Sequence, residues 1–384
     1  MFSKTKFRFI LFISMLFQLT TIEANNLELK NEVLTKIKNG IPQWMLNQIS
    51  KDLILVPQSG ISRQLIIDTL NQDSMCLALF AIKNGKIDVT YNQKLAIEIQ
   101  QDACNPIVAI LTELNDYISL PDIEFVYCMD DAPFSWYRIV EFKEYSNSTK
   151  YHAPVFTACK HINDANCLLI PDFHTLKSIA NNVIQSIASG NTKYPWSSKI
   201  NKAFWRGATT GGLYRLHNFT QFPRVKLAKL SIDFPEHIDA KFNYLWALDG
   251  ETQNKLHELQ YTGDTASIED HIHYKYQILI DGNSASWPRA YWQYQCNSVV
   301  FKQDSNFIVW HNDLFKPWIH YIPFEQDCAN LIEKINWAIN NDDAVEKIAQ
   351  ASNKTANECL QYSDILVYFY AVITEYAKLL VYNN

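Results

Sequence analysis

The chain has 384 residues, 48% of them hydrophobic and 13% aromatic, with 34 basic and 40 acidic side chains and a net charge of −6. That apolar share excludes a globally disordered polypeptide, and the length accommodates two domains. The acidic balance argues against duplex nucleic acid as a partner, because no basic footprint exists to displace counterions from phosphates.

The N-terminus places Lys4, Lys6 and Arg8 before an almost wholly apolar run, residues 9–21, and a polar stretch around Glu23, Asn25 and Asn26. The run is short for a membrane span and fits a signal-peptide core. Ile22-Glu23-Ala24 is a poor cleavage match, so an uncleaved anchor over residues 1–24 is the alternative. Residues 27–118 read as mainly helical, with a strand-like patch at 77–81 and a hairpin turn at Asn84-Gly85. Residues 123–128 form an apolar strand that ends at Asp130-Asp131-Ala132-Pro133. Strands at 155–159 and 167–170 follow. A helix over 175–188 then carries Leu176, Ile179, Val183 and Ile187 on one face, and Ser189-Gly190-Asn191 stops it. Tyr194-Pro195-Trp196 marks the passage into a second domain.

Beyond it a strand at 203–206 runs into Gly207-Ala208-Thr209-Thr210-Gly211-Gly212, and Pro223 opens a helix to about residue 231. Residues 276–280 read as a strand, 288–295 as a helix, and 298–302 and 318–322 as strands; helices at 328–340, 344–359 and 364–382 close the chain. Strands alternating with helices predict an α/β fold with parallel sheets, in two Rossmann-like domains, residues 25–195 and 196–384, facing across a cleft.

The segment with most chemical content is Tyr274-Lys-Tyr-Gln-Ile-Leu-Ile-Asp-Gly-Asn-Ser-Ala-Ser-Trp-Pro-Arg289. A buried strand, a loop of small residues (Gly282, Asn283, Ser284, Ala285, Ser286) and a helix start after Trp287 make an anion cradle, where free backbone N–H groups and the helix dipole converge. Arg289 adds a bidentate phosphate contact. Arg206, Gly207, Ala208 and Thr209 form a second strand-to-loop joint, followed by Arg215 and Arg224, and fit another phosphate or ribose contact; the plain alternative is a flexible surface loop. At the carboxyl end of its strand, Asp131 or Asp130 is placed to act as a general base on a hydroxyl, or simply to start a turn. Lys302 follows a buried strand and is a candidate phosphate partner, while Trp318 and Tyr321 read better as core packing. His271 and His273 alternate like strand ligands but lack a third, and no Asp-x-Asp pair is present, so no metal site is expected. None of the eight cysteines forms a C-x-x-C pair; disulfides and plain buried thiols are both compatible with them. Asn147, Asn218 and Asn353 head glycosylation acceptor patterns.

Taken together, Phe204-Trp-Arg-Gly-Ala-Thr-Thr-Gly-Gly212, the Tyr274–Arg289 segment and Lys316-Pro-Trp-Ile-His-Tyr-Ile-Pro323 resemble glycosyltransferase family 90. This family includes capsule-associated and lipopolysaccharide-modifying transferases and the Rumi-type protein O-glucosyltransferases. The resemblance spans about residues 120 to 380, and its first motif looks more like the lipopolysaccharide branch. It implies a GT-B fold and metal-independent, inverting transfer from a UDP-sugar. By position it makes Asp131 the base, with Asp130 second. It places nucleotide contacts on Ala208, Arg224 and residues 283–289. Ala208 stands where Rumi-type members carry a serine, with Thr209 or Thr210 as the replacement hydroxyl, and Pro288 is an extra residue. Ile272 stands where that branch has a cysteine pairing with the one at Cys296. The expected activity is transfer of a sugar to a lipopolysaccharide or other surface glycan, with a protein Ser or Thr, or a role as an inactive binding member, as alternatives. The expected location is the secretory lumen or an N-terminal membrane attachment, the alternative being the cytoplasmic face of a bacterial inner membrane.

Overall fold

The computed structural model describes residues 26–72, 76–91, 96–133 and 150–381. The signal or anchor segment at 1–24 and the acceptor pattern at Asn147 lie outside the described residues.

Helices α1 (residues 26–39), α2 (Gln43–Asp52) and α3 (Arg63–Gln72) lead into the hairpin of β1 (Leu77–Lys83) and β2 (Lys86–Thr90). It turns at Asn84 and Gly85, both with positive φ (50° and 75°), as a two-residue hairpin turn requires. Then come α4 (Ile97–Tyr117), β3 (Ile123–Cys128), β4 (Lys150–Thr157), β5 (Lys160–His161) and β6 (Ala165–Leu169). The first sheet has the order β2-β1-β3-β4-β6. β3, β4 and β6 are parallel, whereas β1 is antiparallel to both neighbours; towards β2 the tight turn at 84–85 allows only an antiparallel return.

The expected single helix at 175–188 is two helices, α5 (Phe173–Ala180) and α6 (Val183–Lys193), separated at Asn182, which takes the left-handed conformation that Asn tolerates (φ 63°). The expected stop at 189–191 does not occur. Gly190 lies inside α6, where a Cβ would sit 2.7 Å from the Ile272 Cδ1, so the glycine permits close approach rather than ending the helix. Gly190→Val is therefore expected to destabilise the fold by about 1–3 kcal/mol through overpacking. A urea midpoint equal to that of the parent, at unchanged slope, would refute this close packing.

The second unit comprises β7 (Ile200–Ala208), α7 (Pro223–Asp233), β8 (Ile238–Tyr244), α8 (Gly250–Glu258), α9 (Ile268–Ile272), β9 (Tyr274–Leu279), α10 (Trp287–Tyr294), β10 (Val299–Gln303), β11 (Phe307–Ile308) and β12 (Ile322–Phe324). Its sheet, β12-β10-β9-β7-β8, is parallel in every pairing. β8, α8 and α9 have no counterpart among the predicted elements, although Ile238, Ala240 and Phe242 of β8 alternate inward. The chain closes with α11 (Leu331–Asn340), α12 (Asp342–Cys359) and α13 (Tyr362–Ala377).

The α/β architecture with two five-stranded sheets is thus present, and two features tie the units together. β11 pairs antiparallel with β5. α13, buried almost all round, belongs to the core of the first unit, where Tyr368 stacks on Trp44 and donates to the Leu169 carbonyl at 3.2 Å. No described helix is long and apolar enough to cross a membrane. Cys104, Cys128, Cys159, Cys296, Cys328 and Cys359 are free thiols. Asn218 and Asn353, two of the acceptor asparagines, use their side-chain amides inside the fold, donating to the carbonyls of Leu213 (3.1 Å) and Gln295 (2.5 Å).

Candidate active site

The carboxyl ends of β3, β7 and β9 point at one cavity of about 320 Å³, which is where an open parallel sheet offers its loops to a ligand. From β3 comes Asp131; from β7 come Gly207, Ala208 and Thr210; from β9 come Gly282 to Ser286, continuing through Trp287, Pro288 and Arg289.

Arg224 builds the floor. It sits in the first turn of α7, 8% exposed, and its guanidinium binds both loops at once. It donates to the Asp281 carbonyl (2.8 Å), the Ala208 carbonyl (2.9 Å) and the Thr210 hydroxyl (2.6 Å), and more weakly to Ser286 Oγ (3.3 Å). Gly282 is obligatory beneath it, since a Cβ there would meet Thr210 Oγ1 at 2.5 Å and the Arg224 Nη2 at 2.7 Å. Gly211, with φ 98°, needs glycine on backbone grounds.

Arg289 forms the wall. Pro288 sits in the first turn of α10, a position that suits proline's fixed φ and missing N–H. From there Nη2 of Arg289 donates to the Arg206 carbonyl at 2.6 Å, while Nη1 is buried without a hydrogen-bond partner among the described residues. Burial, reinforced by the nearby charge of Arg224, pulls its guanidinium down to about 9. Burial likewise lowers Arg224. Two enclosed cations share the site, and neither makes an ion pair among the described residues. Two such cations suit an anion with several acceptor oxygens.

Asp131 faces them from the other unit. Its Oδ2 accepts from Asn283 Nδ2 at 2.8 Å, and its backbone carbonyl accepts from the Ser284 hydroxyl at 2.9 Å. The Trp287 indole N–H in turn donates to Ser284 Oγ at 2.8 Å. Burial raises the Asp131 carboxyl above the usual range, as does Asp130, while Asn283 and Arg224 oppose the shift. The adjacent Asp130 is used differently: its Oδ1 accepts the Asp131 backbone N–H at 2.8 Å, a turn-stabilising contact, and it does not line the cavity.

Of the residues named from the sequence, Asp131, Gly207, Ala208, Arg224, Asn283, Ser284, Ala285, Ser286, Trp287 and Arg289 are brought together. Besides Asp130, four others are not. Arg206 points to the opposite face of β7, forms a bidentate pair with Asp239 (2.8 and 3.0 Å) and covers the Phe204 ring; only its carbonyl serves the site. Strand alternation makes the Arg206 and Gly207 faces exclusive. Arg215 pairs with Asp249 at 3.5 Å and donates to the Tyr214 carbonyl. Thr209 is fully buried, with its hydroxyl bonded to the Trp246 backbone, so Thr210 is the hydroxyl that reaches the cavity beside Ala208. Lys302 lies behind the cradle in a separate small void with Asp281 and Tyr321. His174 and Trp292 also line the cavity, outside the residues expected from the sequence. His174 opens α5 just after β6, so its place beyond a strand's carboxyl end was a usable signal. Trp292 carries none beyond helical packing. His271 is buried against Gln277 (3.1 Å) and His273 stacks on Tyr194.

The chain matches the family model described as Glycosyl transferase family 90 over residues 40–384. It is 29% identical over 317 residues to Protein O-glucosyltransferase 2 of Danio rerio, covering 80% of this chain and 57% of the relative. It is 28% identical over 276 residues to Protein O-glucosyltransferase 3 of Mus musculus, covering 70% and 50%. The chain thus spans little more than half the length of these curated relatives. Among solved structures, Anabaena HepE in complex with UDP-glucose aligns over 60% of this chain and 65% of its own, with a TM-score of 0.36 and 12% identity.

Proposed function

Because this chain belongs to glycosyl transferase family 90, we propose that it transfers a sugar from a UDP-sugar to an acceptor hydroxyl, with inversion and without a metal. The observation that carries this reading is the enclosed, unpaired Arg289 beside Arg224, set across one cavity from the carboxylate of Asp131. The two guanidinium groups suit the diphosphate of the donor. The carboxylate suits an incoming hydroxyl.

In this reading Asp131 takes the acceptor proton as the oxygen forms its bond to the anomeric carbon. The bond from that carbon to the diphosphate oxygen breaks on the opposite face, and UDP leaves as an anion. Arg289 and Arg224 stabilise the charge that builds on the leaving group, a role that needs preorganised donors but no cation cofactor. The acceptor is taken as a Ser or Thr hydroxyl of a protein, ahead of a lipopolysaccharide or other surface glycan, because the relatives above are named protein O-glucosyltransferases. The basic and apolar N-terminal segment supports a secretory route, with attachment to a membrane through it as the variant of that route.

A second reading, a module that binds UDP-sugar or glycan without turnover, is motivated by Ala208, which supplies no hydroxyl at the loop. A panel of UDP-sugars, screened by thermal stabilisation in the presence of a chelator, decides between them. One sugar nucleotide is expected to raise the melting temperature and then to be consumed with Ser/Thr peptide or glycan acceptors, releasing UDP. Stabilisation with no UDP released under any acceptor would replace the enzyme by the binding module. No stabilisation by any UDP-sugar would remove both.

A further inference from the structure

Asn283 occupies an unusual place between three loops. Its Oδ1 accepts the backbone N–H of Gly211 at 2.8 Å, and its Nδ2 donates to Asp131 Oδ2 at 2.8 Å. The backbone N–H can only donate, so it settles which end of the amide is oxygen, and the NH2 group is left facing the carboxylate. The loop after β7, the cradle after β9 and the strand end of β3 are therefore joined through one side chain. Ser284 repeats the join one residue on, through the Asp131 carbonyl. The other carboxylate oxygen, Oδ1 of Asp131, has no hydrogen-bond partner among the described residues, and Asp131 lines the cavity.

We infer that Asn283 is a positioning residue for Asp131, holding one carboxylate oxygen as a hydrogen-bonded anion so that the other is presented to the acceptor hydroxyl. This rests on Asp131 being the base. It gives Asn283 a role distinct from the nucleotide contact expected of it from the sequence. The environment makes such a partner necessary. Asp131 is half-buried, Asp130 adds a like charge from its own turn, and the Cys159 thiol lies buried nearby. Arg224 opposes them from α7, and among the described residues the remaining titratable groups lining the cavity are His174 and Arg289. Among the described residues, Asn283 is the group that hydrogen-bonds the carboxylate.

The test uses the full chain, with turnover measured across pH and UDP binding measured by calorimetry. Losing a neutral donor to a carboxylate is expected to move the acid limb of turnover in Asn283→Ala up by about one pH unit. Asn283→Asp, which sets a second carboxylate against the first, is expected to move it further. UDP affinity stays at the parent level in Asn283→Ala, and turnover recovers on the alkaline side. If Asn283→Ala does not fold, Asn283→Ser retains a shorter donor and is expected to shift the limb by less. An unmoved limb in the folded variants overturns the inference, and so does a loss confined to UDP affinity, which would make Asn283 a donor contact. Asp131→Asn separates the two levels. Normal turnover in that variant removes the base and this inference together. An inactive Asp131→Asn alongside Asn283 variants with the parent acid limb removes this inference alone.

Discussion

Asp131→Asn is expected to bind UDP-sugar as the parent does and to lose transfer by about 10²- to 10⁴-fold, the usual contribution of a positioned general base. The substitution keeps the shape of the site. An asparagine oxygen at position 131 can still accept from Asn283 Nδ2, and the backbone carbonyl still accepts from Ser284, so the inter-unit contacts persist. What disappears is the basic oxygen. The variant is also expected to melt no lower than the parent at neutral pH. Burial holds the Asp131 carboxyl above its ordinary value in the fold. The unfolded chain therefore ionises first as pH rises, and ionisation of this group opposes folding above the unfolded value. Asparagine removes that opposition. For the parent enzyme the same raised value means that turnover falls as pH drops through it, because only the carboxylate accepts a proton. Turnover at the parent rate by Asp131→Asn on its true acceptor would end the assignment. Asp130→Asn, which alters a turn contact outside the cavity, serves as the matched control and is expected to retain transfer.

Arg289→Met is expected to separate stability from donor binding in opposite directions. The parent guanidinium is enclosed, makes one hydrogen bond to the Arg206 carbonyl, and leaves Nη1 unpartnered beside a second cation. Replacing an unneutralised buried charge by an apolar side chain of similar length is neutral or stabilising. The melting temperature without ligand should therefore hold or rise. The anion that would neutralise the pair loses one partner, and UDP affinity should fall by roughly 30-fold or more, corresponding to about 2–5 kcal/mol for truncating one side of an enclosed charge pair. Arg289→Lys should not restore it, because an ammonium cannot hold the Arg206 carbonyl and a phosphate oxygen with one planar fork. Lower stability together with unchanged UDP affinity would make Arg289 a structural residue and remove the observation on which the proposed function rests.

The elements that were legible are those whose own residues decide them. The Asn84-Gly85 hairpin, the apolar strand at 123–128, the strand-loop-helix of residues 274–295 and the C-terminal helices appear close to where the pattern places them, since turn chemistry and hydrophobic periodicity are local. Gly190 shows the limit of such local signals. A glycine in a helical pattern reads as a stop, but the residue that requires it, Ile272, is 82 positions away in sequence and only its packing against α6 shows the reason. β8 was missed because an edge strand with Asp239, Lys241 and Asn243 on its outer face carries little apolar signal.

The candidate site divides on the same physical line. The sequence by itself determined the family, the small-residue cradle, the arginine that opens α7, and the aspartate pair at a strand end, because each is a short motif whose residue types state their chemistry. Tertiary structure decided which members of each motif face inward. Strand alternation sends Arg206 to Asp239 and leaves Gly207 in the cavity. A turn hydrogen bond takes Asp130 and leaves Asp131. The burial of Thr209 against Trp246 leaves Thr210. The join of Asp131 to Asn283 spans 152 residues between two units. Such a contact depends on how the loops of both sheets converge, and no local pattern encodes it.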